Sequence, residues 1–204
     1  MIDNRKALAF YLECDRVALG KSRKRPRLIG DEIWKYQRFM RKLDYANCRL
    51  HQKNRFLWPA RLIRVVYYRL KYRKLGMQLG FSIPCNVFGP GLAIVHYGSI
   101  VVSSKASIGE NCRIHSGVNI GANAGETQAA VIGNQVYIGP GAKIVGNIRI
   151  ADGVCIGANA VVVKDVEQRM TVGGIPAKKI SDKDSSIHLR NATEIVRKAN
   201  RCDG

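Results

Sequence analysis

The feature that most constrains this chain is a six-residue periodicity that runs through its second half. An aliphatic residue recurs every six positions, and a small or apolar residue stands two positions before each of them. The aliphatic positions are Val102, Ile108, Ile114, Ile120, Ile132, Ile138, Ile144, Ile150, Ile156 and Val162. Several are followed directly by glycine, as a turn without room for a Cβ atom requires. Neither a 3.6-residue helix nor the two-residue alternation of a strand produces this pattern.

This period predicts a parallel β-helix, in which each hexad forms one side of a triangular prism and about eighteen residues complete one coil. The inward aliphatic side chains of successive coils would stack at roughly the 4.8 Å spacing of neighbouring strands and form a continuous core. The register fails only at Glu126. Because an unpaired charge is too costly in such a core, we expect residues 121–131 to leave the prism as an external loop.

The N-terminal part of the chain has helical periodicity instead. Residues 31–45 place apolar side chains on one face of a predicted helix, with Asp31 as its candidate N-cap. A second helix is predicted from Pro59 to Leu79, opening with the proline, and a weaker one over residues 5–19. We therefore expect a mostly β protein. It would consist of a basic helical module (1–80), the β-helix domain (81–180) and a partly helical C-terminal tail (181–204).

The charge is concentrated in the helical module. The whole chain has a formal net charge of +19, and residues 1–80 contain 21 Lys or Arg against 6 Asp or Glu. Such a field attracts polyanions or an anionic membrane surface. One face of the predicted third helix would carry Arg61, Arg64, Tyr68 and Lys71 opposite its aliphatic side, as an interfacial helix requires. Peripheral membrane association through this module is therefore a candidate property. No signature of a nucleic-acid-binding fold is present, so nucleic acid is not an expected partner.

The remaining composition points to the cytoplasm, including the inner face of the membrane as a candidate location. No uncharged stretch is long enough for a membrane span, and the N-terminus lacks the apolar run of a secretory signal. The six cysteines are scattered without a CxxC pair or a close Cys/His group. This spacing is poor for a disulfide framework or a zinc site, and we expect no metal.

Four stretches carry a resemblance to a known family: HYGSIVVSSKASIGENCRIHSGVNIG (96–121), IGPGAKIVGNI (138–148), IGANAVVVKDV (156–166) and VGGIPAKKI (172–180). They resemble the hexapeptide-repeat acyltransferases, in particular serine acetyltransferases and bacterial polysaccharide O-acetyltransferases. The resemblance covers roughly residues 81–180. It implies a left-handed prism and a homotrimer, with acetyl-CoA as co-substrate in a groove between neighbouring prisms.

His96 matches the catalytic histidine of that family. A hydroxyl group attacks a thioester at neutral pH only if a positioned base removes its proton, and neutral imidazole suits this task. His115 follows about one coil later and is, with Tyr97, a candidate for the acceptor site. His51 and His188 have no constellation around them. A γ-type carbonic anhydrase on the same prism requires more metal-binding histidines than the repeats contain.

The resemblance also implies where acetyl-CoA would lie. Glycines and small residues of the later coils would let its pantetheine amides approach the backbone, and nearby lysines would bind its phosphates. The candidate cofactor-binding residues are Gly139, Pro140, Gly141, Ala142, Gly157, Ala158, Lys164, Lys178 and Lys179.

The acceptor is predicted from departures from serine acetyltransferases. Val95 stands where those enzymes have an aspartate before the catalytic histidine, and Ala129 lies near the position of their second histidine. We therefore expect the acceptor to be a sugar hydroxyl of a polysaccharide precursor, with acidic and lipid-linked sugars as candidates. The alternative is serine O-acetylation in cysteine biosynthesis. A hypothesis of another class is a polyanion-binding scaffold without catalysis.

Overall fold

Three helices precede the prism in the computed structural model, which describes residues 2–50 and 57–202. They are α1 (Arg5–Ala18), α2 (Glu32–Leu50) and α3 (Trp58–Leu79). The side chain of Asn4 caps α1 by accepting a hydrogen bond from the Ala7 N–H. Pro59 lies in the first turn of α3, and Gly80 ends this helix with a left-handed φ of 78°. All three predicted helices are confirmed, and His51 lies outside the described residues.

The predicted N-cap role of the Asp31 side chain is wrong. Asp31 has a left-handed φ of 58°. Its carboxylate accepts hydrogen bonds from the Arg27 N–H and from Lys21 Nζ, both of which precede it in the chain. The backbone carbonyl of Asp31 still accepts the first helical bond, from the Lys35 N–H. The carboxylate therefore fixes the connector between α1 and α2 and leaves the helix start to the backbone.

After α3 the chain winds into a prism with three faces of short strands. The first face contains β1 (Phe81–Ser82), β3 (Ile100–Val102), β6 (Asn119–Gly121), β9 (Lys143–Val145) and β12 (Val161–Val162). The second contains β4 (Ser107–Ile108), β7 (Val131–Ile132) and β10 (Arg149–Ile150), extended by bridges at Phe88 and Val166. The third contains β2 (Ala93–Ile94), β5 (Arg113–Ile114), β8 (Tyr137–Ile138), β11 (Cys155–Ile156), β13 (Thr171–Gly173) and β14 (Lys178–Ser181). Every pairing is parallel except that of β13 with β14, as a β-helix requires.

The register confirms the predicted coil length and the predicted loop. Partners on neighbouring coils stand 18 residues apart where the repeat is regular, as for Lys143 and Val161. Across the irregular hexad they stand 24 apart, as for Asn119 and Lys143. The extra residues form the external loop between β6 and β7. Glu126 stabilises this loop by accepting hydrogen bonds from the backbone N–H groups of Asn123 and Asn147.

The aliphatic residues of the repeat form the core, as predicted. All ten of them are buried, together with the small residues two positions earlier along most coils. Tyr36 and Met40 of α2 belong to the same buried cluster as the aliphatic residues of the prism. The helical module and the prism therefore share one hydrophobic core.

Polar side chains of the module also bind the lower coils. Arg41 is fully buried, pairs with the carboxylate of Asp15 at 2.9 Å, and donates to the carbonyls of Phe88 and Gly89. The Asp15 carboxylate in turn accepts from the N–H groups of Gly91 and Leu92. A buried ion pair is stable only when its remaining polar atoms are satisfied, and here backbone groups of the prism satisfy them.

The C-terminal tail returns along the prism. It contains a 3-10 helix (Ser185–His188) and α4 (Ala192–Cys202), which packs against α1. Buried Asn111 of the prism hydrogen bonds to the hydroxyl of Thr193 at the start of α4. Within the described residues, no helix has the length and apolarity that a membrane crossing needs.

The structure does not present the predicted polar face of α3, made of Arg61, Arg64, Tyr68 and Lys71, as one exposed surface. Val65 and Gly76 are buried against α2 and the prism, and Arg61 and Tyr68 are half-buried on that side. The four-residue polar face is therefore divided, because only Arg64 and Lys71 of it are exposed. The aliphatic residues Ile63, Val66 and Leu70 face away from the protein.

Candidate active site

His96 lies on a corner of the prism whose backbone is fixed on both sides. The preceding residue, Val95, donates its N–H to the carbonyl of Ile114 on the next coil. Two residues after His96, the N–H of Gly98 donates to the carbonyl of Leu79 at the end of α3. Gly98 has a left-handed φ of 129°, which favours glycine at this turn. The exposed imidazole of His96 is thus presented by a rigid backbone.

His115 lies beside His96 on the next coil. The two ring centroids are 5.9 Å apart, and the ring of Tyr137 packs on the other side of His115 at 5.1 Å. His188 from the 3-10 helix completes the row by packing on Tyr137 at 4.6 Å. The predicted proximity of His96 and His115 is confirmed. His188, by contrast, had no constellation in the sequence, and only the folded tail brings it to this row.

The surroundings of His115 favour its neutral form. Burial lowers the pKa of its imidazole below the usual value of 6.5, and the positive charge of Arg113 lowers it further. The Nε2 atom of His115 and the Nε atom of Arg113 are both buried without a hydrogen-bond partner among the described residues. Because unpaired buried polar groups are costly, these atoms are candidates for contacts with a ligand.

A cavity of about 400 Å³ opens between the prism and the helical module, lined by the chain neighbours of His96 and by none of the four rings of the row. Its wall includes Val95, Tyr97 and Arg113 from the prism, and Lys21 and Asp31 from the connector before α2. Tyr97, which directly follows His96 in the chain, is exposed and lines the cavity. Sequence reasoning missed Arg113, whose place in the repeat resembles that of any outward residue.

The predicted cofactor-binding residues lie on the later coils in two groups. Pro140, Ala158, Lys164, Lys178 and Lys179 are exposed, whereas Gly139 and Ala142 are buried, and Gly141 and Gly157 lie between these groups as half-buried residues. Lys179 also pairs with the carboxylate of Asp182. A Cβ atom at Gly139 would lie 2.8 Å from the carbonyl oxygen of Ile156, so close coil packing by itself requires glycine there.

The two positions that depart from serine acetyltransferases differ in exposure. Ala129 is fully buried at the end of the external loop, and Val95 is half-buried at the cavity wall. In the described part of the chain, no group of three or more His, Cys, Asp or Glu residues is arranged to hold a metal ion.

Comparisons with known proteins agree with this architecture. The family described as bacterial transferase hexapeptide (six repeats) matches residues 129–164. The serine acetyltransferase of Synechococcus elongatus is 38% identical over 133 residues, which are 64% of this chain and 54% of that protein. The chain thus spans about half the length of this curated relative.

Two solved structures are similar over most of the chain. A serine acetyltransferase of Neisseria gonorrhoeae in complex with serine has a TM-score of 0.59 at 26% identity, and the match covers 85% of this chain and 69% of that one. A serine acetyltransferase in complex with CoA has a TM-score of 0.66 at 22% identity, with 86% and 71% covered. The second likeness, at such low identity, concerns the fold alone. The chain therefore resembles the hexapeptide-repeat acyltransferases of the serine acetyltransferase kind.

Proposed function

We propose that this serine acetyltransferase-like chain transfers the acetyl group of acetyl-CoA to a hydroxyl group, with His96 as the general base. The observation that carries the proposal is the exposed His96 on its fixed corner next to His115, in a prism similar to those of serine acetyltransferases. The cavity lined by Val95 and Tyr97, its chain neighbours, lies within reach of the same corner. The polyanion-binding scaffold without catalysis has no comparable support from the relatives.

The chemistry follows from the position of His96. Its neutral imidazole accepts the proton of the acceptor hydroxyl while the oxygen attacks the thioester carbonyl. The new C–O bond forms, the tetrahedral intermediate collapses, and the C–S bond breaks. The proton then passes from the imidazolium to the sulfur of the departing CoA. His115 remains neutral beside His96, so it adds no positive charge that would oppose protonation of the base.

The acceptor that the comparisons support best is L-serine. The curated relative named above is a serine acetyltransferase, and one similar structure is described as a complex with serine. In this proposal the guanidinium of Arg113 and the connector residues around the cavity bind the charged groups of the amino acid. The main expectation from sequence, a sugar hydroxyl, has weaker support.

A sugar acceptor remains the second candidate because of two positions. Half-buried Val95 and fully buried Ala129 offer no polar group to an amino acid. A sugar, whose hydroxyls both donate and accept, would instead pair with the unpaired nitrogen atoms of Arg113 and His115.

Acetyl-CoA is proposed to lie along the later coils. The exposed residues Pro140 and Ala158 would face the pantetheine chain, and exposed Lys164 and Lys178 would bind its phosphates. Lys179 would contribute after separating from Asp182. The left-handed sense of the coil and assembly into a homotrimer are further parts of this proposal, which follow from the resemblance to the family.

The proposal is tested by measuring CoA thiol release from acetyl-CoA with separate acceptors. Purified protein is incubated with millimolar L-serine, with nucleotide sugars and with oligosaccharides, and each rate is compared with that of acetyl-CoA alone. We expect release with L-serine well above the acceptor-free rate. Release with a sugar only would replace serine by the second candidate. No release above background with any acceptor would contradict the transferase proposal.

A further inference from the structure

The helical module presents one surface on which exposed apolar residues and unneutralised cations alternate. We call it the basic face. It comprises Arg25, Leu28 and Ile29 of the connector, Arg38, Phe39 and Lys42 of α2, and Ile63, Tyr67, Leu70, Lys71, Lys74 and Met77 of α3. These residues have no part in the proposed catalytic site.

The apolar members of the basic face are exposed to an unusual extent. Leu28 and Ile29 stand next to each other at the tip of the connector and are 94% and 87% exposed. On α3, Ile63, Leu70 and Met77 are 64–77% exposed and lie seven residues apart along one stripe of the helix. Single exposed apolar residues are ordinary on a protein surface, but aligned ones rimmed by charge mark an interaction site.

Cations of α2 and the connector line a depression of about 550 Å³ together with Phe39. Burial lowers the pKa of Lys42, and the positive charges of Arg38 and Arg25 lower it further. Burial and the charge of Arg25 likewise lower the pKa of Arg38, against a smaller opposite effect of Glu13. These cations therefore crowd each other without full neutralisation, as expected of a site that receives an anionic group.

The two parts of the basic face are continuous. The ring of Phe39 packs edge-on against the ring of Tyr67 on α3, with 6.4 Å between the ring centroids. Lys42 Nζ lies over Phe39 at 5.9 Å, and Lys71 Nζ lies over Tyr67 at 5.9 Å. An unbroken row of rings and cations thus connects the depression with the apolar stripe of α3.

The charge of α3 determines which partner fits this surface. Residues 58–79 contain six Lys or Arg and no Asp or Glu. A twofold contact between two copies of the chain would place the same patch of each copy face to face, and here would oppose cations to cations. An anionic phospholipid surface complements both features, because its headgroups neutralise the cations and its acyl boundary receives the apolar side chains.

We propose that the basic face docks the protein on the surface of an anionic membrane, with phosphate headgroups in the depression around Arg25, Arg38 and Lys42. Leu28, Ile29 and the stripe of α3 enter the boundary between headgroups and acyl chains. This docking is independent of the proposed acetyl transfer. It is reversible, because it combines a modest apolar area with salt-sensitive attraction.

The test is co-flotation of the full chain with vesicles. One set contains phosphatidylcholine with phosphatidylglycerol, and the other contains phosphatidylcholine alone, each at about 0.05 M and 0.5 M salt. The charge variant replaces Arg25, Arg38 and Lys42 by glutamine, and the apolar variant carries Leu28→Ser with Ile29→Ser. The matched control loses the same charge elsewhere, through glutamine at Lys183, Lys198 and Arg201. Thermal unfolding of each variant verifies that it folds.

We expect binding to the anionic vesicles at low salt, weak binding to neutral vesicles, and release at high salt. A cation near an anionic surface contributes roughly a fivefold factor, so the charge variant should lose about a hundredfold in vesicle affinity. The apolar variant should bind more weakly than the wild type while keeping its salt dependence. The control should lose much less than the charge variant.

Several results would overturn the proposal. These are equal binding to neutral vesicles, an absence of vesicle binding, or a charge variant that binds like the control. Binding to single-stranded RNA is measured in parallel. If the apolar variant bound both vesicles and RNA as tightly as the wild type, the face would be a general polyanion surface instead. If Leu70→Ser with Met77→Ser changed the sedimentation mass and left vesicle binding intact, the face would be an interface between copies.

Discussion

His96 and His115 have different surroundings although their rings are neighbours. His96 is exposed on its corner, whereas His115 is held between His96 and Tyr137, with Arg113 close enough to affect its titration. A positive charge on His115 would face both Arg113 and a protonated His96. The row therefore favours a neutral His115 next to the histidine that gains a proton in the proposed mechanism, and the titration of His115 can be measured directly.

The proton NMR titration of the His115 ring should have its midpoint below 6.5, since burial and Arg113 lower its pKa. Because the folded pKa is below the unfolded one, the stability linked to this group is present above pH 6.5 and is lost as pH falls through the folded midpoint. Arg113→Gln should move the midpoint upwards, although burial will keep it below the unfolded value. A wild-type midpoint at or above 6.5 would contradict this description of the row.

At the scale of the elements, close coil spacing and one buried ion pair determine how the parts fit. Gly139 is required by the approach of the next coil, so its presence in the repeat carries no information about acetyl-CoA. Asp15 of α1 and Arg41 of α2 meet at the loop between β1 and β2, where both bind backbone groups of the prism. This pair fastens two helices to the first coil.

Asp15→Asn should destabilise the protein by about 3–5 kcal/mol, because it leaves the buried charge of Arg41 without its counter-ion. The unfolding free energy is measured by urea denaturation, followed both by tryptophan fluorescence, with Trp34 in the module, and by circular dichroism. Both signals should shift together, since module and prism share one core. The matched control is Glu194→Gln, which removes one partner of the exposed pair with Lys198 and should leave the unfolding free energy nearly unchanged. Equal effects of the two substitutions would contradict the role given to the buried pair.

The elements were predictable from sequence where the signal is local. The six-residue period identified the coils and their inward side chains, and Glu126 identified the loop, because a charge in a stacked core is visible as a break in the pattern. The direction in which α3 faces was not predictable. Its stripe of Ile63, Val66 and Leu70 has the spacing of a buried face, but Val65 and Gly76 are the residues that meet the rest of the protein.

At the scale of the whole molecule, the site could be predicted only in part. The resemblance singled out His96 as the candidate base, which stays a prediction, and the coil spacing correctly predicted that His115 lies next to it. The cavity wall combines Lys21 and Asp31 of the connector with Arg113 of the prism, and His188 reaches Tyr137 from the tail. Such contacts join distant parts of the chain through tertiary packing, which no local period records.

The whole molecule also separates two kinds of surface. The candidate catalytic site lies where the prism meets the module, and the basic face lies on α2, α3 and the connector. Substitutions in the basic face should therefore change membrane binding and leave the rate of the proposed acetyl transfer unchanged.

The most direct test of the central claim is the rate of acetyl transfer by His96→Ala, measured with acetyl-CoA and the best acceptor in single-turnover experiments. Loss of the general base should lower this rate by at least ~10²-fold, with CoA affinity and thermal unfolding unchanged. His188→Ala, which removes an exposed histidine from the far end of the same row, is the matched control and should retain nearly the full rate. A His96→Ala protein that transfers acetyl as fast as this control would contradict the assignment of His96 as the general base.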